Sequence, residues 1–451
     1  MAKAIKIKKG LDIPMIGQAK EALLQCSLGE LYGFVPDDFV GLYPKVLVKP
    51  GEIVQVGTPL MCDKNRPEIV VVSSVSGEVQ SVNRGAKRKV LSIVVKSDGK
   101  LSAVSLPQFD LKKMSGEEVK QTLLAYGFWP FISQRPYDII ATPTDQPTNI
   151  FVTGFDSAPL APNSDFMLAA EGDALQAGLV ALSKMTQGKL YVGVRSKSKM
   201  ELVAAVEGTE LIFVDGPHPA GNVGVQINAV APVNKGEVVW TLRAADVVMM
   251  GRLFANGTLD FSRTIALTGE EATECGYIKT IVGATIESLT KGKIAEGKSL
   301  RIISGNVLTG KKVTMDEFLG ATHTQVTVIA EGDDVHEFLG WGTPGLNKFS
   351  AGRTYLAWLF GKKRWHFDAR IRGGKRAMIL SNEYDRVFPM DILPEYLLKA
   401  IISFNIDKME ALGIYEVAPE DFALCEFVDT SKIEIQKIVR EGLDKLYKEM
   451  M

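Results

Sequence analysis

The sequence holds only four cysteines, Cys26, Cys62, Cys275 and Cys425, and no two of them form a C-x-x-C pair. Iron–sulfur clusters and structural zinc sites draw on thiolates spaced to converge on a metal. Thiols this dispersed read as buried and inert. Histidine is as scarce, with His218, His323, His336 and His366 standing far apart. There is no Ser-His-Asp or Cys-His pattern and no carboxylate pair with a claim to catalysis. The sequence therefore offers no catalytic, cofactor-binding or metal-ligating residue. Long apolar runs are missing too: none approaches the roughly 20 uncharged residues that cross a bilayer. The start, Met1-Ala2-Lys3-Ala4-Ile5-Lys6, alternates charge with apolar residues and lacks the apolar stretch of a signal peptide. A soluble, cytoplasmic protein is expected, tied to a membrane, if at all, through another protein. Nor is there an excess of one charge. Lys plus Arg total 52 and Asp plus Glu total 53, which gives no reason to expect nucleic acid as a partner.

What is present is a chain of 451 residues with 46% apolar and 23% charged residues. That is a normal globular balance spread over several domains. After an N-terminal arm, 1–35, residues 36–100 read as all-β. Turn signals at Pro50-Gly51, Ser76-Gly77, Arg84-Gly85 and Asp98-Gly99 separate short β-branched runs. At Ser115-Gly116-Glu117-Glu118 the period changes: a capping box opens a helix carrying Val119, Leu123 and Leu124. Strands at 149–153, 189–194 and 211–214 then alternate with helices at 175–185 and 199–206. This implies a Rossmann-like α/β domain over 101–255. Residues 256–345 return to strands around one helix near Ile286–Leu289, the content of a β-grasp unit. A helical domain, 346–451, has helices expected at 393–404, 406–412, 418–424 and 431–449. It opens with a basic loop, 362–376, expected to be ordered by a partner.

Three motifs admit more than one reading. Lys64, in Asp63-Lys64-Asn65 before Ser76-Gly77, sits where a biotinyl or lipoyl carrier domain is acylated. No Met flanks it, and its distance to Ser76-Gly77 is long. A carrier-like fold with an unmodified lysine is expected. Asp215-Gly216-Pro217-His218-Pro219-Ala220-Gly221 follows a strand, the place where α/β proteins bind ligands, although its glycines also suit a tight turn. His218 is either pinned for a partner contact or simply exposed. Ser304-Gly305-Asn306-Val307-Leu308-Thr309-Gly310 is the kind of loop that cradles phosphate, but a strand-to-strand turn is favoured.

Lys8-Lys9-Gly10-Leu11-Asp12-Ile13-Pro14, Val82 to Arg88, Phe213 to Gly221, Ser304 to Gly310, Gly345 to Ser350, Arg386 to Asp391 and Leu424 to Val428 occur in order along nearly the whole chain. Together these blocks resemble the NqrA family of the sodium-translocating NADH:quinone reductases. The resemblance implies a peripheral protein on the cytoplasmic side of the inner (cell) membrane. It would work with five partners, subunits B to F, and would dock chiefly on the membrane-embedded B subunit. NADH, FMN, FAD, riboflavin and the iron–sulfur centre would belong to those partners. The chain is also similar to the flavin-binding subunit of respiratory complex I and to the C subunit of Rnf complexes. An NADH- and flavin-binding electron-transfer protein of the Rnf type is therefore the alternative. Where those relatives carry a Gly-rich flavin loop, this chain reads Gly127-Phe128-Trp129-Pro130-Phe131, and bulky rings keep a phosphate off the backbone. Where they bind iron–sulfur, Cys425 stands alone with Asp429 nearby, and a lone thiolate cannot hold a cluster. The family's link to quinone falls on Val35–Leu42 and Phe131–Asp138. Their aromatics Phe39, Phe131 and Tyr137 would either lie against a quinone ring or pack between domains.

Overall fold

The computed structural model describes residues 3–200, 204–333, 335, 344–360 and 363–450. His336, Lys362 and the middle of the helix expected at 199–206 lie outside them.

The β unit consists of two sheets. One orders Leu31–Phe34, Val90–Ser97, Gly77–Arg84 and Ile53–Val54; the other orders Pro44–Val46, Pro59–Asp63 and Val70–Val72. Leu60, Val71, Val79 and Val95 from both sheets enter one buried core. The unit starts before the expected boundary at 36. Leu31–Phe34 pairs with Val90–Ser97 and buries Tyr32 and Phe34. Gly33 hides this strand from pattern reading. It is there for a close approach, since a Cβ would sit 2.2 Å from the Phe318 ring. The rest of the expected arm is also built in. Lys3–Lys6 is an edge strand running parallel to Thr209–Asp215, and its exposed lysines suit an edge.

The central sheet has seven strands in the order Lys3–Lys6, Thr209–Asp215, Lys189–Val194, Asn149–Thr153, Val239–Arg243, Ser133–Arg135 and Ile139–Ile140. The first five are parallel; Ser133–Arg135 runs antiparallel to them, and Ile139–Ile140 pairs antiparallel with Ser133–Arg135. Strand pleating sends alternate side chains to opposite faces. Ile150, Val152, Val192 and Leu242 join one apolar cluster with the helices Gly172–Ser183 and Ala244–Asn256. Phe151, Tyr191 and Val239 join a second, with Val223–Val230 and the C-terminal helices. The capping box forms as read: Ser115 Oγ accepts from Glu118 N–H, and the Glu118 carboxylate accepts from Ser115 N–H.

A five-stranded sheet follows, ordered Gly276–Ile281, Ser262–Thr268, Gln325–Ala330, Leu300–Ser304 and Lys311–Val313. Its first and last strands in sequence, Ser262–Thr268 and Gln325–Ala330, lie parallel at the centre. The one helix expected here, Ile286–Thr290, is capped by Thr285. The final unit has helices Pro394–Ile402, Ile406–Ala411, Ala423–Val428 and Ile435–Met450. The helix expected over 418–424 is instead a short 3-10 turn, Pro419–Phe422, leading into an α-helix that runs to Val428. The last helix starts at Ile435 and not at 431, because the Asp429 carboxylate captures the Ser431 and Ile433 N–H groups in a turn.

The helices Gly172–Ser183 and Ala244–Asn256 touch at two glycines. A Cβ on Gly251 would fall 1.7 Å from the Ala174 carbonyl oxygen, and one on Gly178 would fall 2.4 Å from that of Val247. In an exposed helix, Gly→Ala gains about 1 kcal/mol. Here the clash is with backbone, and Gly251→Ala is expected to cost about 2 kcal/mol or more. Urea unfolding measures it, and an unchanged or raised midpoint would refute this packing.

Candidate functional site

Strands Asn149–Thr153, Lys189–Val194 and Thr209–Asp215 step outward in one direction. The chain then crosses back to place Val239–Arg243 on the other side of Asn149–Thr153. Such a reversal is where open α/β sheets leave a crevice at the carboxyl ends of the strands. A cavity of about 950 Å³ lies there, in the range that holds a small organic ligand. Thr153 and Arg243 line it at the strand ends, and Ala244 and Asp246 from the first turn of the following helix. The β unit adds Asp38 and Phe39, the five-stranded unit adds His323 and Gln325, and the helical unit adds Glu420 and Arg440.

Phe39 and Phe131 meet edge to face with ring centroids 5.6 Å apart, and both line the cavity. The Ile140 N–H donates to the Val40 carbonyl at 2.9 Å, so the segments around 35–42 and 131–140 are stitched together. Tyr137 is not among the lining residues. Its ring packs on Tyr447 and Tyr415, with centroids 5.1 Å and 6.3 Å away. Arg440 bonds the Tyr137 and Asp138 carbonyls at 2.6 Å and 2.9 Å. Two of the three aromatics singled out in the sequence thus share the cavity, and the third belongs to the contact with the last helix.

The turn at 127–131 is filled by its own rings. Phe128 stacks on Phe261 at 4.9 Å, Trp129 meets Trp240 at 5.2 Å, and both are fully buried. Near the C-terminus Cys425 is buried, and burial pushes its thiol well up. Asp429 accepts from the Tyr384 hydroxyl at 2.8 Å in addition to its turn N–H groups.

Charged residues that sequence reading did not single out cluster in the cavity wall (Arg135, Asp138, Asp246, His323 and Glu420) and next to it (Asp421 and Arg263). Arg135 is 1% exposed and pairs with Asp138; its Nη2 lies 3.7 Å from Glu420 and 4.0 Å from Asp421. Burial pushes Asp421 up to about 7 against the pull of Arg135, with Glu420 adding to the rise. Burial also raises Glu420. Asp138 goes the other way, because Arg135 and Arg440 overcome its burial. Asp246 pairs with buried Arg263 at 3.2 Å. Burial, with Arg243, Lys311 and Arg263 nearby, drives His323 down to about 3, and Ser304 Oγ sits 2.8 Å from its Nδ1. No spacing in the sequence marks these groups, since they come from three separate units.

His218 is neither exposed nor held out toward a partner. It is 3% exposed and lines the cavity. Its backbone N–H donates to Asp12 at 2.9 Å, and its carbonyl accepts from the Leu11 N–H. Gly10 must lack a side chain here, because a Cβ would sit 2.2 Å from that carbonyl oxygen. The two sequence blocks at 8–14 and 213–221 are therefore one packed structure. Ser304–Gly310 is a turn: the Asn306 carboxamide oxygen accepts from the Leu308 and Thr309 N–H groups. Lys64 is exposed in the loop of the hairpin formed by Pro59–Asp63 and Val70–Val72, as read from the sequence, and Arg66 ties that loop back to the Gly41 and Ile140 carbonyls.

Three family models match in succession: the NqrA N-terminal barrel-sandwich hybrid domain over residues 5–98, the NqrA second alpha/beta domain over 114–259, and the NQRA C-terminal domain over 264–315. This defines a multidomain α/β protein headed by a barrel-sandwich unit. The A subunit of the Na(+)-translocating NADH-quinone reductase of Pasteurella multocida (strain Pm70) is 34% identical over 448 residues, 99% of this chain and 100% of its own. Its counterpart in Photorhabdus laumondii subsp. laumondii is 37% identical over 449 residues, with the same coverage. A chain of an NAD+-reducing [NiFe]-hydrogenase in its H2-reduced state aligns at TM-score 0.37 and 14% identity over 54% of this chain and 57% of its own, which is too loose to carry an argument. The chain belongs to the NqrA family, the A subunits of Na+-translocating NADH-quinone reductases.

A carboxyl raised in the fold binds its proton more tightly there than in the unfolded chain. The stability it contributes is full below the ordinary pKa and is lost as pH rises toward 7. Asp421→Asn removes this term and is expected to flatten the fall of Tm between pH 5 and 7. Parallel Tm–pH curves for the two proteins would refute the assignment.

Proposed function

We propose that this chain is the peripheral, cytoplasmic-side subunit of a Na+-exporting NADH:quinone oxidoreductase, and that its cleft seats the quinone head group. It carries no flavin or iron–sulfur centre of its own. NADH, FMN, FAD, riboflavin and the iron–sulfur centre sit on partner subunits B to F, and the chain docks chiefly on the membrane-embedded B subunit. Full-length similarity to NqrA relatives supports the assignment and does not favour the Rnf-type alternative. The barrel-sandwich unit acts as a carrier-like scaffold, the central unit as a Rossmann-like body, and the five-stranded unit as a β-grasp module of the SLBB-like kind.

The observation that carries the quinone reading is the Phe39–Phe131 pair. Two segments far apart in sequence bring their rings into one cavity at the strand reversal. An edge-to-face pair in a cavity wall offers a flat ring an apolar surface to lie against. The packed rings at Phe128 and Trp129 support the absence of a flavin loop. Among the described residues no helix is long and apolar enough to cross a membrane. Docking on a membrane protein fits the exposed apolar run Leu356, Trp358, Leu359 and Phe360, since exposed apolar patches mark interfaces.

The test is saturable binding of ubiquinone-1 to the purified chain, followed by titration calorimetry. Phe131→Ala is expected to raise Kd about tenfold, and absent or unaltered binding would overturn the quinone reading. For the docking surface, Leu359→Asp is expected to abolish co-purification with the membrane-embedded partner while leaving the Tm of the isolated chain unchanged. Full retention of the complex would place the interface elsewhere.

A further inference from the structure

Arg243 ends the strand Val239–Arg243 at the winding reversal; it is exposed and lines the cavity. The register of the sheet sets it beside the aromatic pair. Val239 stands opposite Arg135 and Thr241 opposite Ser133, so the same register continued by two residues brings Arg243 level with Phe131. The other cations of the lining already answer carboxylates. Arg135 pairs with Asp138 and Lys311 with Asp38, while Lys437 and Arg440 pair with carboxylates at the last helix. Arg243 has no carboxylate partner among the described residues, and its Nη1 donates instead to a neutral acceptor, the Thr322 carbonyl. The cleft therefore holds one accessible cation whose charge is unanswered.

A guanidinium keeps its charge at any working pH and carries five N–H donors in a planar fork. Thr322 holds one end of that fork, which leaves donors for an oxygen in the cleft. After burial, the Arg243 charge is the largest influence that drives His323 down to about 3. That ring is neutral, so Arg243 carries the positive charge here. A quinone offers two ring oxygens as acceptors, and reduction places negative charge on them. Hydrogen bonds from a cation to a charged oxygen are shorter and stronger than neutral ones. We propose that Arg243 donates to the quinone ring oxygen that lies beside Phe131, and that it holds this oxygen more tightly the more negative charge the oxygen carries. This rests on the quinone reading of the cleft and adds to it the group that orients the ring and favours its anionic forms.

The experiment compares two probes of like shape on the full chain by titration calorimetry. Menadione is neutral; lawsone, the same ring system with a hydroxyl in place of the methyl group, is an anion at neutral pH. Arg243→Gln is expected to weaken lawsone about tenfold and menadione about threefold or less. Arg243→Lys, which keeps the charge, is expected to retain most of the affinity for lawsone. Loss of a merely structural bond to Thr322 would weaken both probes alike. If ubiquinone-1 binds in a Phe131-dependent way but the ratio of the two Kd values is the same in wild type and Arg243→Gln, the inference fails and the quinone reading stands. If no quinone binds the wild type saturably, both fail. Should the variants not fold, phenylglyoxal labelling of the wild type decides, since this reagent attacks accessible guanidinium groups. Slower modification of Arg243 on adding lawsone supports the contact, and an unchanged rate overturns it.

Discussion

Arg135 is taken out of water at the end of the sheet, and much of the architecture around the cleft answers to that. Burying a guanidinium costs several kcal/mol unless carboxylates and hydrogen bonds surround it. Asp138 comes from the same turn, while Glu420 and Asp421 come from the helical unit. Arg440 on the last helix closes over the Tyr137–Asp138 backbone. The edge of the α/β sheet and the C-terminal helices are thereby fixed against each other. Three carboxyls compete for one buried cation, so they do not all ionise alike. Asp421 keeps its proton to near neutral pH while Asp138 does not.

The same arrangement leaves room for the cavity. The winding reversal at Asn149–Thr153 and Val239–Arg243 opens a crevice, and neighbouring units wall it without filling it. Phe39 reaches in from the β unit and meets Phe131. His323, beside Ser304, is held neutral by burial and the cations around it. The N-terminal segment, through Gly10, Leu11 and Asp12, braces the backbone of His218. The aromatic, hydrogen-bonding and charged parts of the wall thus come from different units, which accounts for a cleft with several chemistries and no metal-like cluster among the described residues.

Local features were legible in the sequence because their causes are local. The Ser115 capping box, the strands at 149–153 and 189–194, and the helix after Thr285 follow from spacing and caps. Where a distant partner supplied the reason, reading failed. Leu31–Phe34 is a strand because Val90–Ser97 pairs with it, and its Gly33 answers to Phe318. The late start of the last helix has a local cause that helical periodicity does not show: Asp429 takes the N–H groups just before it.

The sequence by itself determined the period of each element, the shortage of thiols and imidazoles, and the bulky rings at 128–131, since these depend on neighbours along the chain. It also ordered the blocks that place the chain in its family. Only the tertiary structure decided that Phe39 and Phe131 share a cavity while Tyr137 turns to the last helix, and that His218 is buried. The reason is physical: burial, desolvation and unmet hydrogen bonds are properties of surroundings. Here those surroundings come from residues hundreds of positions apart, such as Asp12 with His218 and Arg135 with Asp421.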